Sequence, residues 1–159
     1  MANKNKPYPP PPGLDPESAL ASAIENTPCY EARTGDVRVL VQTFWLDDQS
    51  EPEERRFVWA YRIRVENHGD SAIQLLRRSW RIIDGQGRVE HVQGDGVVGE
   101  QPVIDADGCF EYMSGAALET PTGFMGGTYH MVQPGTREHF DVSIPSFSLD
   151  SPHHPAIFH

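Results

Sequence analysis

From Gly35 onward, apolar residues recur at every second position. Val37, Val39, Val41, Thr43 and Trp45 alternate with Arg38, Leu40, Gln42, Phe44 and Leu46. Phe57, Trp59, Tyr61, Ile63 and Val65 alternate with Val58, Ala60, Arg62, Arg64 and Glu66. A period of two places each set on one face of a strand. The second run is the cleaner, with aromatic and branched residues on one face and mostly polar ones on the other. DDQSEPEE between the runs is polar, contains a proline and predicts a hairpin loop. Asn67-His68-Gly69-Asp70 predicts the next turn. Residues 72–83 predict a third strand, and Asp84-Gly85-Gln86-Gly87 after it has hairpin chemistry. Arg88 to Gln93, residues 109–114, Gly127 to Val132 and His139 to Ile144 complete the set. Ser114 to Thr128, rich in glycine, is read as a long loop. Many short strands with glycine or proline turns between them predict an all-β fold, an immunoglobulin-like antiparallel sandwich of about seven to eight strands.

The alternation does not reach the N-terminus. Residues 1–16 hold six of the 14 prolines. Consecutive prolines fix φ and lack N–H donors, so this stretch is expected to be a disordered, polyproline-like arm. Residues 17–32 are expected to form a short helical lead-in, capped by Asp15, opened by Pro16 and Glu17, and ended at Thr27-Pro28. The domain is then expected over residues 33–150, with residues 151–159 as a tail.

Charge narrows the partners. The formal net charge is −10, which argues against nucleic acid and anionic membrane, since both attract clustered cations. Only Lys4 and Lys6 are lysines; the other 11 cations are arginines. No run of 18 apolar residues predicts a membrane span, and no apolar segment marks a secretory signal. Cys29 and Cys109 are too few for a disulfide framework or a zinc site, so a cytoplasmic protein with reduced thiols is expected.

Gly94-x-Gly96-x-x-Gly99 spells the dinucleotide fingerprint, but that chemistry also needs a helix opening at the third glycine. Glu100-Gln101-Pro102 followed by branched residues is poor helix material, and Asp95 and Glu100 repel phosphate. An ordered glycine turn is the expectation. Nucleophilic catalysis has no visible partner set around Cys29 or Cys109, so no catalytic residues are assigned. Four arginines suggest an anion patch: Arg62 and Arg64 share one face of a strand, and Arg77 and Arg81 share a face of the next. The competing reading is charge balance against Glu66, Glu90 and Glu111. For metal, His91, His130 and His139 lie on predicted strands, while Asp47, Asp48, Glu51, Glu53 and Glu54 lack the oxygen spacing of a dedicated cage. No metal site and no cofactor are assigned.

The blocks VENHGDSAIQLLRRSWRIIDGQGRV, GDGVVGEQPVI and FEYMSGAALETPTGFMGGTYHM, in this order, resemble the ApaG (CorD) family over roughly residues 33–150. The resemblance implies a fibronectin type III-like sandwich and an association with cobalt tolerance and magnesium efflux. It implies no catalytic residue set, and similar domains in larger proteins look like protein-interaction modules. The expected function is therefore a non-enzymatic module that binds an unidentified protein or a small anion. The expected contacts are Gly94, Gly96, Gly99, Glu100, Gln101 and Pro102 in one loop, Gly115, Phe124, Met125 and Gly126 in the other, and the four arginines. The alternative is an accessory protein of cobalt and magnesium homeostasis that binds the divalent cation directly. Unpaired edge strands leave room for a homodimer.

Overall fold

The computed structural model describes residues 29–153. The expected arm (1–16), the expected helix as far as residue 28, and residues 154–159 lie outside the described residues. The period-two runs become β1 (Tyr30–Thr34), β2 (Val37–Trp45), β3 (Phe57–Asn67), β4 (Ile73–Asp84), β5 (Val89–Asp95), β6 (Val103–Ile104), β7 (Cys109–Leu118), β8 (Thr122–Gln133) and β9 (Glu138–Asp150). The first sheet has the order β1-β2-β3-β7. The second has the order β5-β4-β8-β9, with the short β6 pairing with β4. The antiparallel sandwich expected from the alternation is present, with β1 and β6 additional to the runs read from the sequence. The end of the expected helical lead-in, Tyr30 to Ala32, belongs instead to β1, which pairs with β2.

Apolar inner faces of both sheets build one core. Val39, Val41, Ile63, Val65, Leu75, Tyr129, Met131 and Leu149 are wholly buried. Tyr61, Trp80 and Phe147 meet between the sheets, with ring centroids 5.5 Å apart for Tyr61–Trp80 and 5.9 Å for Trp80–Phe147. Buried aromatics of this size dominate core energetics. Trp59 adds a polar stitch, its indole N–H donating to the Asp150 carbonyl at 2.8 Å.

Val58 and Ala60 lie on the face expected to be polar, yet both are buried. Leu46 and the partly buried Phe44 pack with them, and the linker that follows forms two 3-10 turns, Asp47–Gln49 and Pro52–Glu54. Ser50 ties the linker to β3: its hydroxyl donates to the Leu46 carbonyl at 2.7 Å and accepts the Val58 N–H at 2.9 Å.

Two irregularities shape the second sheet. The β4–β8 register shifts between Leu75 and Arg77, and the β8–β9 register shifts between Met125 and Gly127. Such a bulge adds a residue to one strand and resets which side chains face inward. Leu75 is buried, and after the shift it is Arg78 and Trp80 that are buried.

The expected loop from Ser114 to Thr128 is not a loop. Gly115 lies in β7, opposite Ala60, and Phe124, Met125 and Gly126 lie in β8. Only residues 119–121 link the two strands, and they cross from one sheet to the other. The glycines serve close packing instead of turning. A Cβ on Gly123 would meet the Ile83 carbonyl oxygen at 2.6 Å, and one on Gly127 would meet the Ser79 carbonyl oxygen at 2.1 Å.

Candidate binding groove and glycine loop

The Gly-x-Gly-x-x-Gly stretch leaves β5 at Asp95 and turns without entering a helix. Val97 and Glu100 exchange backbone hydrogen bonds of 2.8 and 2.9 Å, with Val98 (φ 44°) and Gly99 (φ 84°) at the tip. Positive φ at both central residues is the geometry of a type I′ hairpin turn, which favours glycine. Gly96 also has positive φ, and a Cβ there would stand 2.1 Å from the Glu100 carbonyl oxygen. The glycine spacing is therefore set by backbone packing. With no helix opening at Gly99, no helix dipole is aimed at a phosphate here.

The loop is pinned to the bulge of β4. Gly96 N–H donates to the Leu76 carbonyl at 2.8 Å, and the Gln101 side chain donates to the same oxygen at 3.0 Å. Leu75 N–H donates to the Pro102 carbonyl at 3.0 Å. Val97 plugs the core at 1% exposure. From beneath, Arg78 donates through Nη1 to the carbonyls of Asp95 at 3.0 Å and Gly96 at 2.7 Å. Gly94 covers that guanidinium, and a Cβ there would meet Nη2 at 2.8 Å. Arg78 was not selected from the sequence. The signal was present, since two consecutive arginines on an alternating strand put one of them inward. Nearby, the hydroxyls of Tyr112 and Tyr129 share a hydrogen bond of 2.5 Å. Burial pushes both phenols up, and the positive charge of Arg78 opposes the shift.

The four expected anion-binding arginines do not form one patch. β3 and β4 are consecutive in sequence but belong to different sheets, so Arg62 and Arg64 lie on the opposite outer face from Arg77 and Arg81. On the first sheet the charges are satisfied internally. Arg38 bridges Glu31 and Glu66 at 3.0 and 3.3 Å, Arg64 bridges Glu66 at 2.7 Å and also pairs with Glu111, and Arg62 reaches Glu111 at 2.6 Å. Arg64, then His68 and Arg38, hold the Glu66 carboxyl down to about 2. Charge balance is the correct reading for Arg62 and Arg64.

The outer face of the second sheet differs. Arg77 makes one long hydrogen bond, 3.4 Å, to Gln93. The Arg81 side chain has no ion pair and no hydrogen bond among the described residues. It lies directly across from His91 on β5. Beside them runs a groove of about 370 Å³, lined by Arg81, His91, Phe124, Gly126, Gly127, Thr128 and the hydroxyl residues Ser79, Ser143 and Ser146. Gly126, which stands opposite the β9 bulge at Pro145 and Ser146, leaves room for it by having no side chain. Phe124 flanks it at 53% exposure, while Met125 points into the core at 3%. Phe124, Gly126 and Arg81, chosen from different parts of the sequence, thus meet in one place. Gly115, on the other sheet, does not join them.

His130 extends this face. Its Nδ1 is 2.8 Å from the Asp141 carboxylate and its Nε2 is 2.7 Å from the Ser79 hydroxyl. The order resembles a Ser-His-Asp triad, in which the carboxylate is buried. Asp141 is 68% exposed, so water screens it. The three residues form a cross-strand polar ladder over β4, β8 and β9 that fixes the Ser79 hydroxyl at the groove. The histidines considered as metal ligands stand on separate strands, His91 on β5, His130 on β8 and His139 on β9. Among the described residues no three His, Cys, Asp or Glu side chains gather as a metal site, and no helix is long and apolar enough to cross a membrane.

A family model described as ApaG domain matches residues 47–133. A protein named ApaG from Rhodospirillum centenum is 55% identical over 124 residues, covering 78% of this chain and 95% of that protein. Protein ApaG from Maricaulis maris is 54% identical over 123 residues, 77% of this chain and 94% of that one. A crystal structure of a putative ApaA protein from Bordetella pertussis superposes with a TM-score of 0.71 at 42% identity, covering 74% of this chain and 95% of that chain.

Proposed function

We propose that this chain, which belongs to the ApaG domain family, works as a binding module whose ligand site is the groove on the outer face of the second sheet. The observation that carries this reading is Arg81, a guanidinium without a partner among the described residues, at the rim of a groove beside an exposed aromatic ring. The volume falls in the range of small-ligand sites, which use a few placed polar groups to fix a ligand's orientation. Arg81 and His91 supply positive donors, the Ser79, Thr128, Ser143 and Ser146 hydroxyls supply neutral ones, and Phe124 offers a ring face. The ligand class is a small organic anion with a flat apolar part. Binding, with no chemistry performed, is the function assigned.

The protein-partner reading is supported by the rim of the glycine loop. Glu100 and Gln101 are exposed there, Val103 is 54% exposed, and the Arg78 clamp holds the backbone in place. The association with cobalt tolerance and magnesium efflux, implied by the family, is then indirect and acts in the cytoplasm through whatever the groove or this rim engages. Direct metal binding gains no support from the separated histidines.

Calorimetric titration with phenyl phosphate, benzoate and inorganic phosphate tests the reading. Phenyl phosphate should bind more tightly than inorganic phosphate, and Arg81→Ala should weaken it by about tenfold or more, the worth of one charge-assisted hydrogen bond. Equal heats for Arg81→Ala and the unaltered protein would remove the groove as the site.

A further inference from the structure

The four sheet edges are not protected alike. Natural sheets guard exposed edges with short strands, charges, proline or bulges, because a bare edge templates pairing with another chain. β1 has five residues, carries Glu31 and Arg33, and is tied to β9 by the Ser143 N–H donating to Thr34 Oγ1 at 3.0 Å. β9 contains Pro145, and its pairing with β8 is interrupted by a register shift. β5 carries Glu90 and Asp95 in a chain of net charge −10. β7 has none of these devices. All ten of its residues pair with β3 without a register shift, its sequence CFEYMSGAAL has no proline, and its one charge, Glu111, is neutralised within the chain by Arg62 and Arg64. Among the described residues no further strand pairs with its other side.

We propose that the edge of β7 away from β3 pairs with β7 of a second copy, antiparallel about a two-fold axis, joining two four-stranded sheets into one continuous sheet. The sequence of β7 is compatible with itself in that arrangement. Tyr112, Ser114 and Ala116 face the core, while Cys109, Glu111, Met113, Gly115 and Ala117 alternate with them on the outer face. Directly opposed residues in an antiparallel pair share a face, so the two registers nearest the strand centre place Met113 or Ser114 opposite its own copy. In the first, Glu111 meets Gly115 of the partner subunit; in the second, it meets Ala117 of the partner subunit. Neither sets carboxylate against carboxylate. The outer-face seam is built of small or apolar residues and an already paired acid. An isologous contact of this kind closes at two subunits and leaves no further β7 edge exposed. This inference does not depend on the groove, which lies on the other sheet.

Multi-angle light scattering on the full chain at about 100 µM tests it. The unaltered protein should have twice the 17.8 kDa chain mass. Met113→Glu sets two carboxylates at the seam and should raise the dimer dissociation constant at least about tenfold. Val89→Glu, at a residue 48% exposed on the β5 edge, should leave the dimer intact. Ala117→Glu is the second seam variant, should Met113→Glu fail to fold. A single-chain mass for the unaltered protein overturns the proposal. So does a dimer that survives both seam variants, or one that Val89→Glu dissociates instead.

Discussion

Replacing Arg78 by methionine isolates the clamp beneath the glycine loop. Methionine keeps most of the aliphatic volume and removes the guanidinium. Two hydrogen bonds are lost, 3.0 Å to the Asp95 carbonyl and 2.7 Å to the Gly96 carbonyl. Bonds from a charged donor contribute about 1.5–3 kcal/mol each. Arg78 is only 9% exposed, so removing it also relieves the desolvation of a buried cation, which offsets part of the loss. The net cost is then about 2–4 kcal/mol, a large fraction of the 5–15 kcal/mol typical of a whole domain. Urea denaturation reads it directly: with a slope of about 2 kcal/mol per molar, the midpoint should fall by roughly 1–2 M. Arg78→Lys should lie between, because an ammonium lacks the guanidinium fork. Amide exchange at Gly96 and Val97 should speed up in Arg78→Met, since the loop loses its support from below. A midpoint and an exchange pattern unchanged from the unaltered protein would refute the clamp and leave the loop held by its backbone bonds to Leu76 alone.

Gly127→Ala should be among the most damaging alanine substitutions in the second sheet. The new Cβ would sit 2.1 Å from a backbone oxygen of the neighbouring strand, costing about 3 kcal/mol or more by thermal denaturation. Gly135→Ala, where nothing lies within 4 Å, should stay within about 0.5 kcal/mol. Stability should also fall in acid. Glu66 is held down to about 2 in the fold against an ordinary value of 4.5. A depressed carboxylate stabilises the fold above its unfolded value, and that contribution is lost as pH falls through the folded one. Urea midpoints should therefore drop between pH 4.5 and about 2, less steeply in Glu66→Gln; an unchanged slope in that variant would place the acid sensitivity elsewhere.

The alternation in β2 and β3 was legible because one face of each strand meets a core and the other mostly meets water. The same rule failed where water was excluded from both sides. Val58 and Ala60 form a second small cluster with Leu46 and Phe44 on that face, which no local period announces. Glycine misled in the other direction. Gly115, Gly123, Gly126 and Gly127 looked like turn residues, but three-dimensional crowding between strands, invisible in one sequence, keeps at least Gly123 and Gly127 without side chains. Sheet assignment was equally hidden: β3 and β4 are joined by a short turn yet pass into different sheets, which split the expected arginine patch. The bulge at Leu76 decided that Arg78 faces inward and Arg81 outward. Arg81, Phe124 and Gly126, expected in a patch and a separate loop, meet in one groove where the β8–β9 register shifts.

The groove is tested most directly by titrating isotope-labelled protein with phenyl phosphate and following the amide and arginine side-chain resonances. Saturable shifts at Arg81, Phe124, Gly126, Gly127 and Thr128, lost in Arg81→Ala, are the expected result. Shifts centred on Gly96 to Pro102 or on Arg62 and Arg64, or none at all, would contradict it.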